Sequence, residues 1–432
     1  MPQVPIERER LDNGLRVILS EDRRTPIVGV NLWYDVGSRN EERGRTGFAH
    51  LFEHMMFQGS ANVAKGEHFA LIQAAGGTLN ASTWTDRTNY FETLPSHELE
   101  LALWLESDRM ASLLPAMTQE KLDNQRDVVK NERRLSVDNQ PYGTAEERMQ
   151  ALMWPEGHPY HHSTIGSMED LSAASMDDVS RFFATYYAPN NAVLTVAGDF
   201  DRDAAMARIE RHFGPIPANP TLPAPPSGDV PDSLGGEVRE VVADQVELPR
   251  IHLAYRIPPF GTDAHEAFNI LSDVLGTGRA SRLYRSLVRE RQLAADVAAF
   301  VFPWAHGSTA LGIWATARPE VSVETLEAQL LAEIDQLSTD GPTDEELARV
   351  RTLHAAAVEA GLEQIGERAD RISQYACLFD KPDMVNTEVA RYDALTAADI
   401  RAALGDRISA DNRLVLTYVP DEDQTEDGEA AA

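Results

Sequence analysis

Apolar and polar positions alternate through Pro26-Ile27-Val28-Gly29-Val30-Asn31-Leu32 in the manner of a half-buried strand. The pattern returns in Pro249-Arg250-Ile251-His252-Leu253-Ala254-Tyr255, and a helix-like segment follows each copy. Later, Asp178-Val179 precedes Asn191 by the interval at which Asp399-Ile400 precedes Asn412, and strands rich in Val, Leu and Thr follow both, at Ala192 to Ala197 and Arg413 to Val419. Helical periodicity appears over Glu120 to Arg134 and Val323 to Gln336. A recurrence of this kind predicts an α+β fold made of two homologous domains, each with a sheet and helices packed on one face.

Prolines 215, 217, 220, 223, 225, 226 and 231 crowd the stretch between Gly214 and Gly236, which has almost no apolar periodicity and reads as a linker. The expected organisation is a domain over 1–213, the linker over 214–236, a domain over 237–420 and an acidic, disordered tail over 421–432.

One helical segment carries unusual chemistry. In Gly47-Phe48-Ala49-His50-Leu51-Phe52-Glu53-His54-Met55-Met56-Phe57, the residues Phe48, Leu51, Phe52, Met55 and Met56 form an apolar stripe, so the segment is a core-packed helix. His50, Glu53 and His54 share another face. Imidazoles at i and i+4 project side by side and suit Zn²⁺ at ~2.0 to 2.1 Å. Beside such a metal a carboxylate takes a proton from water and returns it to a leaving amine, which is the chemistry of peptide hydrolysis. A single helical His or Glu is usually a core or surface group, but His-x-x-Glu-His on one face makes metal binding the stronger reading. Catalytic zinc takes three protein ligands and keeps an open position. By spacing alone Glu132, in a charged helix, is a surface residue. His158, His161 and His162 fall on a loop around Pro159, without a shared helical face, and are expected to serve a non-metal role.

Composition narrows the classes. With 69 acidic and 39 basic residues in 432, the net charge is −30, which argues against nucleic-acid binding and for a solvated surface or a field attracting cationic peptides. A single cysteine, Cys377, excludes an intrachain disulfide. The polar N-terminus and the lack of any apolar run of about 18 residues predict a protein that neither spans nor binds a membrane. Its expected location is the cytoplasm, or the periplasm if a signal peptide has been removed.

The chain resembles the pitrilysin and insulysin family of zinc peptidases, in a short-chain branch like the mitochondrial processing peptidase subunits. The resemblance covers essentially its whole length. It rests on Gly47 to Gly59 around the inverted motif, Gly76-Gly77-Thr78-Leu79-Asn80-Ala81, Val128 to Arg134, His158-Pro159-Tyr160 with Thr164-Ile165-Gly166, and the duplicated halves. It implies one zinc per chain, with Glu53 as general base and a downstream Glu as third ligand. Seventy-seven residues separate His54 from Glu132, which turns Glu132 into that ligand. It also implies that the first of two strands within Gly77 to Pro95, either side of Trp84 to Arg87, borders the site. Asn80 and Ala81 would then line the backbone of an extended peptide added to the sheet edge.

Three positions depart from the family. Members that work alone carry an Arg and a Tyr that hold the substrate carbonyl, where this chain has Val288 and Ala295. Neither side chain donates a hydrogen bond, and one lost oxyanion donor typically costs ~10² to 10³ in rate. The resemblance therefore implies a heterodimer with a homologous subunit bearing that Arg/Tyr pair, each chain forming half of a clamshell. Gln125 replaces a supporting Glu. In the second half Asn269 and Asp273 stand where His50 and His54 do, leaving that half without metal chemistry. The expected function is a zinc endopeptidase subunit acting on short or unfolded peptides. A non-catalytic scaffold or binding subunit of a processing-peptidase-like complex is the alternative.

Overall fold

The computed structural model describes residues 3–421, so 422–432 of the expected acidic tail lie outside the described residues. Eleven strands form two sheets among these residues. The first half supplies β1 (Glu7–Arg10), β2 (Arg16–Glu21), β3 (Ile27–Tyr34), β4 (Thr78–Thr83), β5 (Thr88–Pro95) and β6 (Ala192–Gly198). The second supplies β7 (Val238–Asp244), β8 (Arg250–Ile257), β9 (Ala294–Val301), β10 (Thr309–Ala317) and β11 (Arg413–Pro420).

Their orders are β1-β2-β6-β3-β5-β4 and β7-β11-β8-β10-β9. Without β1 these are the same sequence of connections. In each sheet one pair is parallel, β2 with β6 and β7 with β11, and the other pairs are antiparallel. The duplication is thus present in the topology, and both anticipated strand pairs, β3 with β8 and β6 with β11, occupy equivalent positions. Residues 214–236 contain no helix or strand.

The helices of the first half include α1 (Phe48–Met55), α2 (Glu67–Ala74), α3 (Leu99–Ala116) and α4 (Gln119–Arg133). The apolar stripe of α1 enters the core, where Phe48, Leu51, Phe52, Met55 and Met56 are all buried with Val28, Val30 and Leu32 of β3. Full burial of a side chain such as Phe52, which packs on Phe182 and Tyr187, is worth about 1.5–3 kcal/mol.

Alternation in β3 suggests one solvated face, yet seven of its eight residues are buried. The second face is covered from far along the chain. Helix Ile365–Phe379 packs there, with Ile365 and Ala369 against Ile27 and Ala197. Polar contacts fix it: Ser373 Oγ lies 2.7 Å from Thr195 Oγ1, and Asp370 Oδ1 accepts from Asn31 Nδ2 (3.0 Å), Trp33 Nε1 (2.9 Å) and Asn89 Nδ2 (2.9 Å). The reciprocal occurs in the second sheet, where helix Ala145–Met153 supplies Met149 and Met153 to a cluster with Ala254, Phe302, Trp304 and Leu414.

Accordingly, among the described residues one compact unit comprises 3–133, 162–226 and 356–388, and the other 134–161, 227–355 and 389–421. Each sheet thus carries its expected helical layer plus one helix taken from the other half of the sequence. Among the described residues no helix is long and apolar enough to cross a membrane.

Candidate metal centre

The helix that carries the motif is positioned by its first turn. Gly47 precedes α1 with φ +86°, where a Cβ would stand 2.6 Å from the Ile165 carbonyl oxygen. A Cβ on Gly166 would meet the Gly47 nitrogen at 2.2 Å, so both segments must be glycine at this crossing. Having no side-chain cap of its own, α1 is capped from outside. Glu41 accepts the N–H of Gly47 (2.9 Å) and of Ala49 (2.7 Å), setting a carboxylate at the positive end of the helix. His162 Nε2 lies 2.8 Å from Glu41 Oε2. Burial lowers the His162 pKa, but the hydrogen bond and charge of Glu41, with Ser38 and Asp170, together outweigh it and the net shift is upward. His161 Nδ1 lies 2.7 Å from the Trp154 carbonyl, and the His158 ring stacks on Trp154.

On the other face of α1, the Nε2 atoms of His50 and His54 stand 3.4 Å apart. Across from them Leu122 and Val129 anchor α4 in the core, and its last turn brings up Glu132. The Glu132 carboxylate places Oε1 3.5 Å from His50 Nε2 and Oε2 3.2 Å from His54 Nε2. Ligands placed tetrahedrally at zinc-ligand distances stand about 3.3–3.4 Å from one another. The two Nε2 atoms therefore have the spacing of two corners of that tetrahedron, and each faces a different oxygen of the Glu132 carboxylate. Burial, then the neighbouring His54, lower the His50 pKa to about 4 against the pull of Glu132, keeping this imidazole neutral as a ligand must be. The hydrogen bond from His54 lowers the Glu132 pKa against the effect of burial. Two imidazoles and a carboxylate, all half-buried, are a donor set that suits zinc.

Glu53 sits on the same helix, one turn from His50. Burial raises its pKa, and Thr83 on β4, His54 and Arg87 pull it back. A carboxyl moved toward neutrality is suited to taking up and giving back a proton.

β4 is the free edge of its sheet, paired only with β5. The bond from Trp84 N–H to Arg87 O (2.8 Å) closes the hairpin and makes Ser82–Asn89 and Asn80–Phe91 the hydrogen-bonded pairs. Main-chain groups of Ala81 and Thr83 therefore point to the free edge. Asn80 Oδ1 accepts the Ala81 N–H at 2.9 Å, so the Asn80 side chain occupies part of that edge.

Two polar networks near the site escape sequence reasoning. Arg87 Nη1 donates to Ser82 O and Asn89 Oδ1, each at 2.8 Å, while Asn89 also donates to Asp370. Burial lowers the Arg87 pKa to about 10, with Asp370 and Glu53 opposing. Farther on, buried His68, Glu92 and Glu106 bring their donor atoms within 4.8 Å of one another, but Arg109 pairs with Glu106 and already supplies the compensating charge. Asp370 and Glu106 lie in helices that carry other charged residues, so nothing local marks them as members of these networks.

The departures are also visible. Gln125 is buried and donates to Asn124 Oδ1 (3.0 Å). In helix Asp263–Gly276, Asn269 donates to Glu266 (2.9 Å) and Asp273 accepts from Tyr392 (2.7 Å). Val288 is buried, and Ala295 is exposed on β9.

A duplicated α+β fold with His-x-x-Glu-His on a helix and a carboxylate across from it has the architecture of an inverted-motif metallopeptidase. The chain belongs to peptidase family M16: residues 16–165 match the family described as insulinase (peptidase family M16), and residues 173–353 match the peptidase M16 inactive domain. It is 31% identical over 372 residues to the zinc protease PqqE of Helicobacter pylori, spanning 85% of this chain and 83% of that protein. A mitochondrial-processing peptidase subunit beta from Lentinula edodes is 27% identical over 290 residues, 66% of this chain and 61% of the relative. The crystal structure of a protease from Helicobacter pylori matches with a TM-score of 0.91 at 27% identity, covering 96% of this chain and 100% of that one. The first half of the periplasmic protease PqqL from Escherichia coli shares the fold, with a TM-score of 0.76 at 20% identity over 99% of this chain and 94% of that one.

Proposed function

We propose that this chain is a zinc-dependent endopeptidase subunit in which His50, His54 and Glu132 hold one zinc ion and Glu53 is the general base. The observation that carries this reading is the convergence of two imidazole Nε2 atoms, 3.4 Å apart, on the Glu132 carboxylate, whose Oε2 lies 3.2 Å from His54 and Oε1 3.5 Å from His50. Bound zinc supplies a Lewis acid that acidifies water to a pKa of about 7 and polarises the scissile carbonyl. Glu53 accepts the proton of the attacking water on its carboxylate and delivers it to the leaving amine. The free edge of β4 takes the substrate as an added strand, Ala81 through its main chain and Asn80 by moving its carboxamide aside. Such pairing needs an extended backbone, which short or unfolded peptides provide.

Val288 and Ala295 donate no side-chain hydrogen bond to a carbonyl oxygen. The functional form is accordingly a heterodimer with a homologous subunit that contributes an Arg/Tyr pair. The same two residues favour the second reading, a scaffold subunit that keeps the zinc helix as architecture. Cleavage of an unstructured peptide by the zinc-loaded chain, alone and mixed with the homologous subunit, separates the two. Cleavage that appears or rises on mixing and vanishes in Glu53→Gln supports the peptidase. Zinc binding without cleavage in any mixture supports the scaffold.

A further inference from the structure

Although the chain is strongly acidic overall, one cavity in the second unit is lined by three arginines and no carboxylate. Arg279 follows helix Asp263–Gly276, Arg289 lies on the π-helical turn Tyr284–Glu290, and Arg318 follows β10. With Tyr284, Val288 and Gln292 they enclose about 400 Å³. Arg318 donates Nε to Ala294 O (3.1 Å) and Nη2 to Val288 O (3.2 Å), so its guanidinium is fixed by main chain and its charge is not neutralised by an acid. Arg279 and Arg289 are exposed and, among the described residues, form no ion pair or side-chain hydrogen bond, although both also border an adjacent cavity lined by Glu333, Asp340, Glu345 and Glu346. The neighbouring arginines differ: Arg282 forms a two-pronged pair with Glu346 (2.9 and 2.7 Å), and Arg291 pairs with Glu333.

A cavity that gathers three arginines and no carboxylate in its own lining offers charge and N–H donors to an oxyanion. The guanidinium fork matches a carboxylate through paired N–H donors, and the Tyr284 hydroxyl and Gln292 amide add neutral donors. The overall charge selects among anions. A field set by −30 repels a polyanion in proportion to the ligand's charge, whereas a single carboxylate on an otherwise neutral peptide meets little of that repulsion.

We propose that Arg279, Arg289 and Arg318 form a carboxylate-binding subsite for peptides, the carboxylate coming from a Glu or Asp side chain or from the peptide C-terminus. The ligand class rests on the reading of the chain as a peptide-handling subunit, but the site is independent of the metal centre.

The test is binding to the full chain with Glu53→Gln, which prevents turnover, using dye-labelled neutral peptides that carry one Glu, its Gln counterpart, or a free rather than amidated C-terminus. At low salt the carboxylate-bearing peptide is expected to bind roughly 10-fold more tightly than its neutral counterpart. Arg279→Gln with Arg289→Gln, both exposed positions, should abolish that preference without changing the melting temperature or zinc content. Preference for Glu over Gln assigns the side chain, and preference for the free terminus assigns the terminal carboxylate. Equal binding of charged and neutral peptides, a preference surviving the double substitution, or inorganic phosphate binding more tightly than the carboxylate would overturn the proposal. Zinc content and cleavage of a neutral peptide are read separately, so loss of the subsite is not confused with loss of the peptidase reading.

Discussion

Asp370 offers a quantitative test of how the first unit is completed. Its Oδ1 accepts three N–H groups, from Asn31, Trp33 and Asn89, and each donor residue is only 1% exposed. Asp370→Ala strands Asn31 Nδ2 and Trp33 Nε1, whereas Asn89 Nδ2 keeps Asn31 Oδ1 at 3.1 Å. An unsatisfied buried donor costs about 1–3 kcal/mol, and because Asp370 itself is half-buried, water entering the gap returns part of that sum. The expected loss is roughly 2–4 kcal/mol. Asp370→Asn keeps an acceptor oxygen but loses the charge that strengthens its bonds, for about 1–2 kcal/mol. Urea unfolding at neutral pH, followed by tryptophan fluorescence because Trp33 is one of the donors, reads both values. Zinc content should stay at the wild-type level in native buffer, since Asp370 contacts none of His50, His54 and Glu132. A loss below about 1 kcal/mol for Asp370→Ala, or equal losses for the two variants, would refute the role given to this carboxylate.

Other expectations follow from the same geometry. Glu53→Gln should retain zinc and lower peptide cleavage by ~10² to 10⁴, measured as kcat in the active mixture. Gly166→Ala puts a Cβ 2.2 Å from the Gly47 nitrogen, so it should displace the start of α1 and weaken zinc binding, read by competition with a chromogenic chelator. His265 is buried, and burial lowers its pKa to about 4, with Arg391 adding and the Phe302 carbonyl opposing. The unfolded chain binds this proton below about 6.5 and the folded chain only near 4, so the stability of the neutral form is lost as pH falls between them, at up to about 1.4 kcal/mol per pH unit. The gap between wild type and His265→Gln in urea unfolding should therefore narrow from pH 7 to pH 5, and a constant gap would exclude that titration.

Much of this molecule is legible in its sequence where one segment settles its own structure. The stripe of Phe48, Leu51, Phe52, Met55 and Met56 demands a buried helix, and that helix places His50, Glu53 and His54 on one side whatever surrounds it. Spacing alone does not bring Glu132 to the imidazoles, because a ligand on a second helix depends on packing by Leu122 and Val129. Alternation in Ile27 to Leu32 marks a strand but not what covers its polar-looking face. Asn31 reads as solvated and is instead held by Asp370, more than three hundred residues along the chain. The exchange of helices Ala145–Met153 and Ile365–Phe379 between the two halves of the sequence leaves no local trace for the same reason. A helix pattern reports that a face is apolar, not which sheet it meets.

Zinc stoichiometry of the purified chain and its variants tests the central claim most directly. After loading and removal of free metal, wild type and Glu53→Gln should each carry one zinc per chain, and His50→Ala, His54→Ala and Glu132→Ala should carry far less under the same wash. A wild-type chain that holds no zinc, or ligand variants that hold as much as wild type, would contradict the account.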